Sequence, residues 1–404
     1  MEQTKNLLKN RSSYGITETG VTKKLTVRGH TDNYTVYKVP LELLFYNNQN
    51  GRIATAYSQY LENKPELNYQ EDLEKYNEIF HEFIVKSDET AFKRTKGNIK
   101  TFGQEEPAVI LQDGRVVDGN RRFTCLRELN KEGITSYLEA VILDATEGIT
   151  DKDIKKLELQ LQHAKERPED YNPIDYLVDV YRDIIKNKHF TIKEYMKSTG
   201  KTNGEVTKLR DKAQLMVEFL EFINANEKFH IARNLKIDGP LEEINKILKK
   251  VNKEDEKQTV KESLFALLLN DELDDKTRKI REIGKELIIT EYREKFLDEI
   301  EDYTDEIHDS LNEERQTGIE SIVTTINNKT SINHTSISEN IDNLLRNKGI
   351  EGEKAKPLEH LDKINRELDS LDVNQVKFMD DENKEKFVNQ LSKSIDRMNH
   401  LLEY

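Results

Sequence analysis

The sequence predicts an α+β fold, with a small mixed head followed by a helix-turn-helix and a long, mostly α-helical C-terminal region. Three observations carry this reading. Strand-like apolar alternation occurs only ahead of Thr150, and three- and four-residue spacing dominates after it. Hydrophobic residues make up 35% of the chain and charged residues another 35%, a balance that suits slender helices with long solvated faces. A length of 404 residues exceeds what one core usually serves. The expected division is 1–148 for the head, 149–235 for the helix-turn-helix region and 236–404 for the helical remainder.

Within the head, Lys24-Leu25-Thr26-Val27 and Tyr34-Thr35-Val36-Tyr37 alternate like strands around a Gly-, Asn- and Asp-containing stretch, which predicts a hairpin. From Ala54 to Thr90, residues such as Tyr60, Leu61, Leu73, Tyr76, Phe80 and Phe83 fall largely at helical spacing, with a break near Pro65. Ala108-Val109-Ile110-Leu111 and Arg115-Val116-Val117 flank Asp113-Gly114, a pair that tolerates the positive φ of a tight turn and so predicts a second hairpin. Leu138 to Leu143 reads as a further strand. Beyond it the pattern is helical, broken at Pro173, Gly200, Gly239-Pro240 and Pro357.

A net charge of −14 argues against bulk attraction to nucleic acid, but the excess is local. Glu254 to Arg315 carries 21 acidic and 10 basic residues. By contrast, His189 to Met216 sets Lys193, Lys197, Lys201, Lys208, Arg210 and Lys212 against Glu194, Glu205 and Asp211. Apolar runs such as Leu264 to Leu269 fall far short of the roughly 20 residues that span a bilayer. The first thirty residues have no leader-like pattern, and the single cysteine, Cys125, has no partner for an internal disulfide; a cytoplasmic location without membrane contact is expected. Cys125 itself reads as a small buried hydrophobe. Gly200-Lys201-Thr202 is not a P-loop, because Tyr195 stands where that motif needs glycine.

The most informative stretch is Val116-Val117-Asp118-Gly119-Asn120-Arg121-Arg122-Phe123, where a strand pattern becomes a helical one. A helix start offers unpaired N–H groups and the positive end of the dipole, Gly119 lets backbone approach a ligand, and guanidinium forks match phosphate oxygens. The same pattern also fits an ordinary strand-turn-helix with Asp118 or Asn120 as the cap.

In order and spacing the head resembles the ParB N-terminal superfamily, which also includes sulfiredoxin. The family's Gly-Glu-Arg-Arg motif is matched by Gly119-Asn120-Arg121-Arg122. Its Asn-Pro-x-Gln-Pro-Arg element is similar to Val39-Pro40 followed by Asn47-Asn48-Gln49-Asn50-Gly51-Arg52, so that Arg52 carries over. Its Gly-x-x-x-Pro lead resembles Gly103 to Pro107. Its Glu-Asn-x-x-Arg helix and closing Asn-Pro-Ile-Glu resemble Leu157 to Gln162 and Asn172-Pro173-Ile174-Asp175. The likeness implies a nucleoside triphosphate, CTP or ATP, held by Arg52, Gly103, Gly119, Asn120, Arg121 and Arg122. It also implies magnesium held from the Glu158 to Gln162 stretch, with Glu158 and Gln162 the named candidates.

The departures are specific. An insertion of about 54–96 separates the Arg52 and Gly103 elements, and the Glu-Asn pair has Glu158, Gln160 and Gln162 as possible counterparts. Asn120 stands where sulfiredoxin has its nucleophilic cysteine, which excludes that chemistry. Asp118 fits two roles, a metal-organising carboxylate or a helix cap.

Phe190 to Arg210 looks like a helix-turn-helix, a unit that ParB proteins also place here. Thr191 and Glu194 suit a capping box, Gly200 the turn, and Asn203 to Ala213 a recognition helix. Its DNA-facing candidates are Lys201, Asn203, Thr207, Lys208, Arg210 and Lys212. Near the C-terminus, Val388, Leu391, Ile395, Met398 and Leu402 follow heptad-like steps, which suits either self-association as a homodimer or other oligomer, or packing on Leu358, Leu361, Ile364, Leu368 and Leu371. The expected function is therefore a ParB-like DNA-binding protein whose head binds a nucleoside triphosphate, with or without slow hydrolysis, to control DNA engagement or self-association. The alternatives are a nuclease or nucleotide-hydrolysing effector of bacterial defence built on Asp118, and a ParB-like small-molecule kinase.

Overall fold

The computed structural model describes residues 6–27, 29–144, 150–163, 172–328 and 332–402. The expected boundary at 148/149 falls outside them. Two compact units are resolved, 1–340 and 341–404.

The head is built on one sheet. Strands β1 (Thr17–Val27) and β2 (His30–Pro40) form the first predicted hairpin, extended well beyond the alternating cores read from the sequence. The short β3 (Phe45–Tyr46) precedes helices α1 (Ala54–Tyr60), α2 (Leu73–Ser87) and α3 (Glu89–Phe102), which make up the insertion and continue past it. Strands β4 (Ala108–Leu111) and β5 (Arg115–Asp118) form the second hairpin, followed by α4 (Asn120–Lys131) and β6 (Tyr137–Leu143). Among the described residues the sheet has six strands in the order β1-β2-β6-β4-β5-β3, with β6/β4 and β5/β3 parallel and the other pairs antiparallel.

Alternation along the central strands fills two cores. Ala108 and Ile110 point to the side packed with Phe80, Phe123 and Leu126, while Val109 and Leu111 join Val117, Val141 and Leu157 on the other. Gly114 has a φ of +100°, and a Cβ there would collide with the Leu43 carbonyl, so the Asp-Gly turn admits no side chain at that point.

After the head the chain is helical. The segments are α5 (Asp151–His163), α6 (Pro173–Val180, continued as a wider turn over Tyr181–Lys186), α7 (Ile192–Thr199), α8 (Asn203–Phe222), α9 (Phe229–Asn234), α10 (Asp238–Leu248), α11 (Glu254–Leu268), α12 (Lys276–Ile283), α13 (Arg293–Asn312) and α14 (Ile319–Asn327). The long α15 (His334–Asp369) leads into the second unit, with α16 (Val373–Lys377) and α17 (Asp381–Leu401). In that unit Leu358, Leu361, Ile364 and Leu368 on α15, and Val388, Leu391 and Ile395 on α17, are exposed. Among the described residues no helix is long and apolar enough to cross a membrane.

The insertion is part of the head's architecture. Asn77 of α2 is buried, donates from Nδ2 to the Leu44 carbonyl at 2.8 Å and accepts the Tyr46 N–H at 3.4 Å, closing the free edge of β3. Replacing it with Leu leaves two buried backbone groups unpaired, at about 1–3 kcal/mol each. Asn77→Leu is therefore expected to lower unfolding free energy by at least about 1 kcal/mol in urea titration, and an unchanged midpoint would contradict this assignment.

Candidate functional site

The site grows from the β5-α4 junction. Gly119 has a φ of +101°, and a Cβ on it would lie 2.8 Å from that of Ala108 and 3.2 Å from Arg122 Nη2. Only glycine lets the chain turn this tightly against β4. The cap of α4 is Gly119 itself, with no side-chain capping bond, so neither Asp118 nor Asn120 fills the role expected of an ordinary cap. Asn120 is buried and donates from Nδ2 back to the Val116 carbonyl at 3.2 Å, while Tyr46 and Thr124 hydroxyls meet at 2.9 Å behind the first turn.

The two arginines part company. Arg122 closes back on the junction: Nη2 donates to Asp118 Oδ2 at 2.9 Å, Nη1 to the Glu106 carbonyl, and Glu106 Oε2 lies 3.6 Å away. Lys23 of β1 completes this network, 3.9 Å from Asp118 and 3.4 Å from Glu106. Burial holds Lys23 below its ordinary pKa despite the pull of both carboxylates. Asp118 is thus an anchor flanked by two cations.

Arg121 turns the other way. Its side chain is mostly buried, with Nη2 3.6 Å from Asp88. Burial lowers its pKa most, and the positive charge of Arg52 lowers it further, with Arg94 adding to the same effect against Asp88. Arg52 is delivered here by a short turn, Gly51–Ile53, in which the Asn50 side chain accepts the Arg52 N–H at 3.0 Å. The next residue but two, Thr55, is tied down by Asp175 of α6, which accepts its N–H at 3.0 Å and a 3.1 Å bond from Arg233. Sequence order brought Arg52 and Arg121 into one hypothesis, and the fold brings them into one field. Arg94 lies on α3, in the insertion, and no motif marked it. Gly103 caps the C-terminus of α3 as an exposed residue with a φ of +79°, and nothing lies within 4 Å of where its Cβ would be.

The expected metal residues are placed differently. Glu158 of α5 is only 2% exposed and lies 3.3 Å from the Lys155 ammonium, which is also 3.6 Å from Asp179 of α6. Gln162 lies on α5, but its side chain is outside the described residues. Burial pushes Glu158 up to about 7, with Lys155 opposing; Asp183 is raised to about 7 chiefly by burial as well. Among the described residues no group of three or more His, Cys, Asp or Glu has the arrangement of a metal site. The donor set does not fit magnesium, because an ammonium already sits among these carboxylates. Beside them opens a cavity of about 440 Å³ lined by Asn48, Gln49, Lys155, Asp183, Arg182 and Arg315 among others; Gly119 to Arg122 are not part of its wall.

The helix-turn-helix candidate has the anticipated local geometry. Thr191 with Glu194 and Thr202 with Glu205 form capping boxes on α7 and α8, and Gly200 takes the left-handed conformation between them. The second helix runs to Phe222, and its later half packs into the core. Its cations are drawn toward neighbouring acids: Lys208 pairs with Glu242 at 2.8 Å, Arg210 Nε with Asp211 at 3.1 Å, and Lys212 with Asp238 at 2.7 Å. Lys212 is buried, so the structure turns it toward α10 rather than toward a duplex. Lys201 lies over the Tyr176 ring at 5.9 Å, while exposed Asn203 accepts from the Thr207 hydroxyl at 3.2 Å. Cys125 is buried and its thiol is pushed up to about 12, as a packed hydrophobe requires.

Comparison with known proteins is sparse. No family profile matches the chain, and no curated protein matches it. Among solved structures it is similar to the C-terminally truncated chromosome-partitioning protein ParB from Caulobacter crescentus, complexed with CTP-gamma-S. That likeness has 10% identity and a TM-score of 0.20, over 56% of this chain and 97% of that one.

Raised acids bind protons more tightly in the folded chain than in the unfolded one, so their contribution to stability falls as pH rises from the ordinary carboxylate range to about 7. Buried His230 and half-buried His81 and His334, all held below their ordinary value chiefly by desolvation, act in the opposite direction, so the difference between variants isolates the acids. Asp183→Asn is expected to gain stability relative to the wild type as pH is raised from about 5 to about 8. A melting-temperature difference that stays constant across that range would contradict the buried, proton-holding carboxyl.

Proposed function

We propose that the head binds a nucleoside triphosphate at the β5-α4 junction and that this binding controls engagement of DNA by the helix-turn-helix. One observation carries the proposal: Arg121, mostly buried in the first turn of α4 and met by Asp88 at 3.6 Å, also lies within the electrostatic reach of Arg52, far away in sequence. A buried guanidinium that feels a second positive charge is disfavoured, and a polyanion bound between the two turns that repulsion into attraction. The first amides of α4 and its dipole add to the same preference. The order of the motifs, similar to that of the ParB N-terminal superfamily, supports a triphosphate over a simpler anion.

In this reading Arg121 and Arg52 meet phosphate oxygens, with Arg94 nearby on the insertion. Arg122 serves differently, clamping Asp118 and the Glu106 carbonyl so that Gly119 and the helix start keep their shape. The engagement of Asp118 by Arg122 and Lys23 favours this binding role over a metal-organised nuclease centre. On the DNA side, the exposed start of α8, with Asn203 and Thr207, is the proposed groove-facing surface, flanked by Lys193, Lys197 and Lys201 for phosphate contacts. Lys208 and Arg210 reach it only by leaving Glu242 and Asp211. The exposed stripes on α15 and α17 suit self-association as a homodimer or other oligomer.

Calorimetric titration with CTP and with ATP tests the central assignment. Arg121→Ala is expected to weaken binding of the preferred triphosphate by at least about tenfold while the fold, followed by circular dichroism, is kept. Equal affinity in wild type and variant would remove the proposal.

A further inference from the structure

Two groups of carboxylates, one at the end of β5 and one between α5 and α6, are each answered by a cation that the chain itself supplies. Asp118 faces Arg122 at 2.9 Å and Lys23 at 3.9 Å. Glu158 and Asp179 face Lys155 at 3.3 and 3.6 Å, from α5 and α6 respectively. Asp183, on the wide turn that continues α6, adds its charge to the same ammonium. The Lys155 and Asp118 networks are neighbours, since α5 packs on β5 and the Glu158 carboxyl feels the charge of Asp118.

Oxygen ligands for a divalent ion need open lone pairs arranged around an empty centre. Here the centre is filled. A lysine ammonium has one positive charge and three donors, enough to neutralise part of a carboxylate cluster but fixed to the chain and unable to exchange. Two cations cannot share that position without severe repulsion in a buried setting. We infer that the Lys155 ammonium stands in the place a divalent cation would take, so that this chain binds its triphosphate without magnesium.

The inference rests on the triphosphate reading, and its consequence is distinct from it. With no bridging metal, charge on the phosphates must be met by Arg121, Arg52 and the start of α4. Lys155 acts indirectly, as a positioning residue that holds α5 against α6. Its neighbour Asp183 lies on the wall of the 440 Å³ cavity, so solvent has a route to the cluster without a metal being held there.

Two titrations of the wild-type, full-length chain decide the matter. In the first, CTP and ATP are titrated in excess magnesium and again in excess EDTA. The expected result is an affinity changed by less than about threefold, and a loss of about tenfold or more in EDTA would overturn the inference. In the second, manganese alone is titrated and followed by water-proton relaxation. No saturable manganese site is expected in the wild type, whereas Lys155→Gln, with the carboxylates left facing one another, is expected to gain one. Saturable manganese binding by the wild type, abolished by Glu158→Gln, would also overturn it. Absence of triphosphate binding in both buffers, with no manganese bound, would sink the nucleotide reading while leaving the cluster closed to metal. If Lys155→Gln fails to fold, the wild-type titrations still decide.

Discussion

The structure turns on the close approach of β4 to the bend between β5 and α4. Gly119 makes that approach possible, because its positive φ and missing Cβ let the chain pass Ala108 without collision. Everything attached to the bend inherits its geometry. Asp118 ends the strand on one side, Arg122 returns to it from the first turn of the helix, and Arg121 turns to Asp88, within the electrostatic reach of Arg52. A side chain at position 119 would therefore disturb the charge arrangement as well as the backbone.

Two charge patterns follow from this bend, and their contrast gives the site its character. On one side, acids and bases alternate through Glu106, Arg122, Asp118 and Lys23, and each charge is met within the chain. On the other, Arg52, Arg94 and Arg121 add positive potential to the end of a helix that is already positive there. The first pattern is a scaffold, and the second, with Asp88 3.6 Å from Arg121, is where the proposed triphosphate is received. The buried Lys155 cluster belongs to the scaffold, with Glu158, a metal candidate by sequence, held against the Lys155 ammonium. Such buried pairs contribute little net stability when intact, yet losing one partner leaves an uncompensated charge worth several kcal/mol, roughly 3–5 in comparable cases.

How much of this was legible depended on range. The Asp113-Gly114 hairpin, the strand-to-helix change at Gly119 and the capping box at Thr191 are local devices, written within four residues, and they appear where the sequence puts them. The α+β class followed from the same local periodicities. Contacts across the chain were not legible. Nothing in Lys155 or Asp179 announces that α5 and α6 will bury them together, and nothing in Arg94 places it beside Arg121. Lys212 read as a surface cation because its own helix gives no sign that α10 brings Asp238 against it. Strand β3 was missed for a related reason: two residues cannot show a period, and it is fixed by pairing with β5 and by Asn77. Arg52 was found only because motif order, rather than periodicity, linked it to the junction.

The decisive property is where a triphosphate's charge is received. Backbone amide shifts of the isotopically labelled chain, followed during titration with CTP or ATP, measure that directly. The expected outcome is that the largest perturbations fall on Asn120 to Phe123 and on the Asn50 to Ile53 turn. Perturbations confined to the cavity wall around Arg182 and Arg315, with the start of α4 unmoved, would contradict it.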